Sequence, residues 1–322
     1  MTEDVMKVHL YSMGEPEATQ LQNKELVMQY GITLPNMGVD AQTLAQLAME
    51  AENAGWDGVF VWDCLYGSPE NEPEMRETCD PWIALAAIAM STKRIRLGTM
   101  VTPLSRRRPW KVARETVTLD HLCQGRLILP VGLGAVTEGG FSKVGEETDR
   151  KIRAEMLDEG LAILTGLWSG QPFSYIGQHY HVQEMTFLPP PMQSPRIPIW
   201  VIGAWPRMKS MHRTLHWDGV LPTKMHENGS FAEMTPADIQ TMKTFIEKHR
   251  SLTTPFDIVM EGETPGDDPV AAAAILQPLA QAGVTWWLEA VWASPETKGG
   301  VEGMFKRIQQ GPSHINNSDV AK

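Results

Sequence analysis

Short β-branched apolar segments alternate along the chain with longer segments in which apolar residues recur every three or four positions. Residues 94–135 show one such unit clearly: 94–102 is apolar enough for a buried strand, and Pro109 then opens a helix with one apolar face. Gly125 follows as a helix stop, and 127–133 is the next strand. A strand, a helix and a strand in so short a span predict parallel pairing through a crossover.

The same unit recurs and predicts eight strands, each followed by a helix. The predicted strands span residues 27–34, 58–63, 94–102, 127–133, 197–202, 219–221, 256–261 and 285–291. Eight strand–helix units in one chain predict an α/β fold, the (β/α)8 TIM barrel. A doubly wound open sheet is the alternative, but its G-x-G-x-x-G pattern is absent after the first strand.

Three segments depart from this alternation. Residues 169–196, between the fourth helix and the fifth strand, have short alternating pieces and successive prolines, which predicts a hairpin-like insertion. Residues 1–26 are polar and aperiodic and are predicted to be a poorly ordered extension or a subunit contact, which leaves residues 27–322 as a single barrel domain. Pro130 lies inside the fourth strand, so we expect a bulge or a shifted strand boundary there.

Charge and composition exclude several classes of function. The formal net charge is −11, so the surface should repel nucleic acid and anionic membranes. No apolar run approaches the roughly 20 residues of a membrane helix, and the first residues lack a signal-peptide core, which predicts a cytoplasmic protein. Cys64, Cys79 and Cys123 have no C-x-x-C spacing, and His179 and His181 have no evident third ligand, so no metal site is predicted.

In a TIM barrel the working residues lie at the C-terminal ends of the strands. Asp63 with Cys64, after the second strand, is either an acid–base pair or an aspartate that caps its own loop. Glu261 and Glu289 end adjacent strands, and they either share a proton or each pair with an arginine. After the fifth strand, the glycine of IWVIGAWPR and a helix starting at Pro206 are typical of a phosphate site, although such turns also occur for geometry alone.

The run of Arg106, Arg107 and Arg108 follows the third strand. One interpretation is a solvated or subunit-contacting loop. The other is a contact at the barrel mouth with a phosphate or an acidic substrate.

Several segments together resemble the bacterial luciferase-like superfamily, the flavin- and deazaflavin-dependent barrel oxidoreductases. They are, in order, YGITLPN, GWDGVFVWD, RIRLGTMVTPLSRRRP, LDHLCQGRLILPVGLGA, IPIWVIGA, HWDGVLP and GVTWWLEAV. The resemblance implies a flavin-type ring across the barrel mouth, over a cis peptide bond that matches Met100–Val101. The implied cofactor-binding residues are Trp62, Met100, Val101, Thr102, Gly132, Gly134, Ala135, Gly203, Ala204 and Trp205. The implied catalytic residues are Asp63 and Cys64.

The resemblance implies an enzyme, and the tryptophan-rich strand ends favour a flavin-dependent monooxygenase as the first hypothesis. In this hypothesis a separate flavin reductase supplies reduced FMN, dioxygen reacts with it, and Trp62, Met100 and Trp292 form apolar walls around a small organic substrate. The alternative is hydride transfer with the deazaflavin F420. A second alternative is a non-catalytic flavin-binding protein.

Three departures from the family pattern bear on the substrate. Many deazaflavin-dependent members have an Asp-His pair where this chain has Asp63-Cys64, and sugar-phosphate dehydrogenases have a glutamate where it has Ala135. Pro130 replaces a residue that is usually glycine. The departures argue against a sugar-phosphate dehydrogenase of that type and leave the substrate open. Relatives often dimerise through their second and third helices, which implies a homodimer.

Overall fold

The computed structural model describes residues 28–65, 77–136, 139–226, 231–291 and 300–315. The predicted extension at residues 1–26 and the predicted wall residue Trp292 lie outside these ranges. The strands are β1 (Gln29–Leu34), β2 (Gly58–Val61), β3 (Arg96–Thr99), β4 (Thr102–Pro103), β5 (Leu129–Gly132), β6 (Pro172–Ile176), β7 (His181–Thr186), β8 (Ile199–Trp205), β9 (Gly219–Met225), β10 (Phe231–Ala232), β11 (Asp257–Gly262) and β12 (Trp286–Glu289). The helices are α1 (Ala41–Asn53), α2 (Pro81–Ser91), α3 (Pro109–Leu122), α4 (Arg150–Trp168), α5 (Met208–Thr214), α6 (Pro236–His249), α7 (Pro269–Ala282) and α8 (Val301–Gln309).

The main sheet is parallel and nearly closed into a barrel. Its strand order is β3-β2-β1-β12-β11-β9-β8-β5, and the two-residue β4 lies beside β5. The sheet closes between β3 and β5, where Leu97 N–H donates to Arg126 O at 3.2 Å and Ile128 N–H donates to Leu97 O at 2.9 Å. The structure therefore confirms the predicted (β/α)8 TIM barrel and excludes the open-sheet alternative.

Pro130 fits into β5 without a bulge because its missing N–H faces an interruption in the neighbouring strand. β5 keeps one register with β8, in which Pro130 lies opposite Trp200. Ile128 N–H points to β3 and Leu129 N–H points to β8, so alternation directs the Pro130 nitrogen back toward β3. At the height of Pro130 in the barrel, β3 has already ended, because its last residue is Thr99. β5 itself begins at Leu129 rather than 127, so the structure shows the shifted boundary.

An aromatic layer fills the lower part of the barrel. Phe60, Trp200 and Trp286 are each at most 2% exposed. The ring centroids of Phe60 and Trp200 are 5.2 Å apart, and those of Trp200 and Trp286 are 5.4 Å apart. This packing leaves the C-terminal ends of the strands as the place for a ligand.

Aspartate side chains fix several helix starts. Asp40, Asp80, Asp149 and Asp268 each accept a hydrogen bond from a backbone N–H in the first turn of α1, α2, α4 and α7. Such caps satisfy N–H groups that have no partner within the helix. Within the described ranges, no helix combines the length and apolarity needed to cross a membrane.

The segment between α4 and β8 contains the predicted hairpin, formed by antiparallel β6 and β7. Two buried or half-buried carboxylates tie this insertion to the barrel helices. Glu159 on α4 accepts hydrogen bonds from the backbone N–H groups of Gln178 and Tyr180 at 2.7 and 3.0 Å. Asp120 on α3 accepts one from Met192 N–H at 2.8 Å. The hairpin is therefore held against α3 and α4 rather than against the barrel mouth.

Candidate active site

A cavity of about 1210 Å³ opens at the C-terminal ends of β2, β3, β5 and β8. Its position is the one expected for the working end of a TIM barrel. The predicted site residues on its wall are Trp62, Asp63, Cys64, Met100, Val101, Gly132, Gly134, Ala135 and Ala204.

Three residues predicted for the cofactor site do not line this cavity. Thr102 is fully buried, and its hydroxyl shares a 2.7 Å hydrogen bond with that of Thr99. Gly203 and Trp205 belong to β8, which runs beyond the predicted end at residue 202. Successive strand residues face opposite sides, so Ile202 and Ala204 face the cavity and Gly203 faces helix α5 behind the strand.

The helix after β8 also differs from the prediction. It starts at Met208, two residues after the predicted start at Pro206, with Arg207 as its N-cap residue. The backbone N–H of Ala204 is already bound, because it donates to Ser210 Oγ at 2.9 Å. Of the three residues predicted for the phosphate site only Ala204 lines the cavity, and side chains at the start of α5, among them Arg207 and Lys209, line it as well.

The peptide bond between Met100 and Val101 is cis, as the resemblance implies. It lies in the interruption between β3 and β4, where Met100 N–H donates to Val61 O at 2.7 Å. Both residues line the cavity. Gly132 lies beside them, and a Cβ there would come within 2.9 Å of Ile202 and 3.1 Å of Val101. The cavity floor at this point is apolar and tightly packed.

Gly134 allows the loop after β5 to pass close to its neighbours. Its φ is +75°, a conformation that favours glycine. A Cβ on this residue would come within 2.6 Å of Pro103 and 2.9 Å of the ring of Phe141. Phe141 is 1% exposed and lies between the guanidinium groups of Arg106 and Arg153. Gly134 thus lets this ring support two arginines at the cavity wall.

Asp63 is paired with two arginines, and this arrangement does not suit a general base. Arg107 binds its carboxylate through Nε at 3.0 Å and Nη2 at 2.6 Å. Arg106 Nη2 donates to the Asp63 carbonyl at 2.8 Å and to Oδ1 at 3.3 Å. Burial alone would lower the pKa of Arg107, but the charge and hydrogen bonds of Asp63 raise it overall. The carboxylate of Asp63 therefore positions arginines, and a catalytic role of Asp63 or Cys64, which both line the cavity, stays a prediction.

The two strand-end glutamates do not form a proton-sharing pair. Glu289 is fully buried and lies 3.3 Å from Arg307 of α8. It also accepts hydrogen bonds from Thr264 N–H at 2.7 Å and Trp287 Nε1 at 3.0 Å. Glu261 accepts a hydrogen bond from the hydroxyl of Thr33 at 2.7 Å. Pairing with an arginine, the second predicted outcome, is what the structure shows for Glu289.

A group of basic residues on one side of the cavity was not predicted from the sequence. The starts of α4 and α5 contribute most of them and the last turn of α5 contributes Arg213, and we call this group the cationic cluster. Its members are Arg150, Lys151, Arg153, Arg207, Lys209 and Arg213. A signal was available in DRKIR and WPRMKSMHR, because cations in the first turn of a helix oppose the helix dipole and are uncommon there.

Some members of the cationic cluster are already engaged. Arg213 pairs with Asp158, and Arg153 donates to the carbonyls of Leu133 and Gly134 at 2.8 and 2.9 Å. Burial lowers the pKa of Arg153, although the carboxylates of Asp149 and Glu147 oppose this shift. Arg150, Arg207 and Lys209 form no ion pair with any carboxylate of the described residues. Their charges are available to an anion.

These features define a class: a TIM barrel enzyme whose mouth combines a cis-peptide apolar floor with a cationic side. The chain belongs to the luciferase-like monooxygenase family, which it matches over residues 6–274. The family predicted from the sequence motifs is therefore confirmed.

Two of the curated relatives that the chain resembles are named as F420-dependent dehydrogenases. It is 31% identical over 169 residues to an F420-dependent glucose-6-phosphate dehydrogenase of Gordonia bronchialis, across 52% of this chain and 48% of that protein. It is 30% identical over 188 residues to an F420-dependent hydroxymycolic acid dehydrogenase of Mycobacterium tuberculosis, across 56% of this chain and 49% of that protein. The chain thus spans about half the length of the curated relatives it matches.

Solved structures show the same fold. An F420-dependent secondary alcohol dehydrogenase bound to an F420-acetone adduct has a TM-score of 0.71, with 17% identity over 89% of this chain and 99% of that one. The family and these names indicate an oxidoreductase, as predicted. The first hypothesis, an FMN-dependent monooxygenase, is wrong by this comparison, because the curated relatives use F420. The predicted alternative cofactor, F420, is favoured instead.

Proposed function

We propose that this protein is an F420-dependent oxidoreductase that transfers a hydride between the deazaflavin and a small organic substrate. The cationic cluster carries the proposal, because it is concentrated at one cavity in a chain whose formal net charge is −11. In a chain that is acidic overall, basic residues placed at random would not be concentrated at one cavity. A polyanionic ligand is the partner that such a cluster complements.

The charge of the cofactor distinguishes F420 from FMN. F420 carries a phosphodiester and a chain of glutamates beyond its ring system, whereas FMN ends in one phosphate group. In this proposal Arg150, Arg207 and Lys209 bind the anionic chain, since they have no carboxylate partner among the described residues. Arg153 holds the loop at Leu133 and Gly134 in place through its two carbonyl contacts.

The apolar part of the cavity suits the ring. Met100, Val101 and Ile202 form a surface next to the cis peptide bond, and Trp62 lies on the same cavity wall. When bound, F420 supplies or accepts the hydride at its ring. The residues of this chain hold the ring and exclude water from the reacting carbon.

Fluorescence titration of F420 with the purified protein tests the proposal. We expect quenching that saturates, and an affinity weakened about fivefold to tenfold by Lys209→Glu, since the substitution reverses one exposed charge near the anionic chain. Lys248→Glu is the matched control, because this exposed lysine of α6 lies away from the cavity. The proposal fails if F420 is not quenched, or if reduced FMN binds more tightly than F420.

Other predictions await separate tests. The homodimer and the cytoplasmic location stay predictions, and the small organic substrate belongs to the proposal above. The predicted flavin reductase belonged to the FMN hypothesis and has no role in F420-dependent hydride transfer. A protein that binds F420 but turns over no substrate would correspond to the non-catalytic alternative.

A further inference from the structure

One positive charge at the inner cavity wall lacks a full counter-charge. Asp63 binds Arg107 through both carboxylate oxygens, at 2.6 and 3.0 Å. This two-point contact is the strong form of an arginine–carboxylate pair. Arg106 receives only the 3.3 Å contact with Oδ1 and the 2.8 Å contact with the Asp63 carbonyl. Two guanidinium groups thus share one carboxylate, and Arg106 carries the surplus charge.

The fold holds Arg106 in place. Its side chain is 6% exposed, and its guanidinium lies 5.3 Å from the centre of the Phe141 ring. A Cβ on Gly140 would lie 2.6 Å from Nη1, so the absence of a side chain at residue 140 makes room for this group. Asp63, Phe141 and Gly140 together fix the guanidinium against the cavity wall.

Two donors of Arg106 remain for a ligand. Nη2 makes both contacts with Asp63. Nε and Nη1 donate to no atom of the described residues, and neither is among the enclosed polar atoms that lack a partner. Because Arg106 lines the cavity, we infer that these two donors meet a ligand there. A nearly buried cation with two adjacent free donors is suited to a carboxylate, whose two oxygens match the fork of a guanidinium.

We propose that Arg106 binds the carboxylate of the substrate, and that the substrate is an apolar carboxylic acid. The inference rests on the proposed function, in which the cationic cluster binds the anionic chain of F420. The walls near Arg106 support an apolar remainder, because Trp62, Met100 and Val101 line the same cavity. Arg106 is tethered to the end of β2 through Asp63, whereas the cationic cluster lies on α4 and α5. The proposal therefore assigns the substrate carboxylate to Arg106 and the anionic chain of F420 to the cationic cluster.

Calorimetric titration with benzoate, and with benzamide as its uncharged analogue, tests this inference. We expect the wild type to bind benzoate at least about tenfold more tightly than benzamide, the size expected for a charge-assisted contact. Arg106→Gln should abolish this preference, and Arg106→Lys should keep part of it because the charge remains. Arg108→Gln is the control, since Arg108 is exposed at the start of α3 and does not line the cavity.

The same variants separate this inference from the proposed function. F420 quenching should be unchanged within about twofold in Arg106→Gln if Arg106 contacts the substrate alone. A wild type that binds benzoate no better than benzamide, or an Arg106→Gln variant that keeps the preference, overturns the inference. Weaker F420 binding in Arg106→Gln with an intact benzoate preference assigns Arg106 to the cofactor and also overturns it. If the wild type does not quench F420, the proposed function is contradicted instead. The comparison of benzoate with benzamide needs no F420 and would still test the role of Arg106.

Discussion

Substitution of Gly134 by alanine tests whether close packing at this glycine shapes the cavity wall. The chain offers a matched control in Gly145, whose φ of +74° is almost the same as the +75° of Gly134. A Cβ on Gly145 would meet nothing within 4 Å, whereas one on Gly134 would meet Pro103 at 2.6 Å and Phe141 at 2.9 Å. The two variants therefore share the backbone penalty and differ in the steric contact.

The structure sets the expected magnitudes. Placing alanine in the left-handed region costs about 1 kcal/mol at either position. At Gly134 the added methyl meets a rigid proline ring and a phenylalanine that is 1% exposed, and such overpacking adds about 1–3 kcal/mol. The free energy of unfolding should fall by about 1 kcal/mol in Gly145→Ala and about 2–4 kcal/mol in Gly134→Ala. Because Phe141 supports Arg153, which holds the loop at Leu133 and Gly134, F420 should also bind about threefold more weakly to Gly134→Ala.

Urea denaturation followed by tryptophan fluorescence gives the stabilities, and F420 quenching gives the affinities. Gly145→Ala should bind F420 like the wild type, since Gly145 lies away from the cavity wall. If Gly134→Ala is no less stable than Gly145→Ala and binds F420 equally well, the close contacts at Gly134 do not shape the site, and the reasoning above is refuted.

Two further predictions concern the surface. Burial raises the pKa of Asp238, but hydrogen bonds from Lys224 and Thr235 lower it overall, from 3.8 to about 2. The stabilising effect of this carboxylate is therefore present above the pKa of the unfolded state and is lost as the pH falls through about 2. Asp238→Asn should reduce the free energy of unfolding by about 1 kcal/mol at pH 7 and by much less near pH 2, in urea titrations; an equal loss at both pH values would contradict this. Glu159→Ala removes the acceptor for the N–H groups of residues 178–180, so limited proteolysis should cut this turn severalfold faster than in the wild type. The control Glu247→Ala, at an exposed residue, should leave the cleavage rate unchanged. A cleavage rate in Glu159→Ala equal to that of the wild type would show that Glu159 does not hold the hairpin.

The barrel could be predicted because its main signals are local. Strand and helix periods, aspartate caps and glycine stops all lie within a few residues of the elements they define. Strand ends were less predictable, since they depend on neighbours across the sheet. β8 continues to Trp205 because residues up to 205 pair with β9, and no local signal in IWVIGAWP marks that pairing. For this reason Gly203 was predicted to face the cavity, whereas in the structure it faces α5.

The partners of the site residues could not be predicted, because they lie far apart in the chain. From its sequence neighbours, Asp63 is predicted to be an acid–base group or a loop cap, yet its carboxylate binds Arg107, 44 positions later. Glu289 likewise pairs with Arg307 from the last helix. Conversely, Met100–Val101 was placed correctly because the family resemblance specifies a cis bond at that point. The sequence therefore places the strand ends near the barrel mouth, and only the fold shows which side chains line the cavity and which are already paired.

The cationic cluster shows how the site and the stability of the barrel are linked. A cation in the first turn of a helix is unfavourable by about 0.3–1 kcal/mol, and α4 and α5 each begin with several. Arg150 and Lys209 make no compensating ion pair within the described residues, so the ligand-free protein carries this repulsion at its mouth. An anion that binds there would relieve this repulsion and stabilise the folded state, by an amount that grows with the logarithm of ligand concentration above Kd. A bound anion would explain the basic helix starts, and in the proposed function that anion is the cofactor.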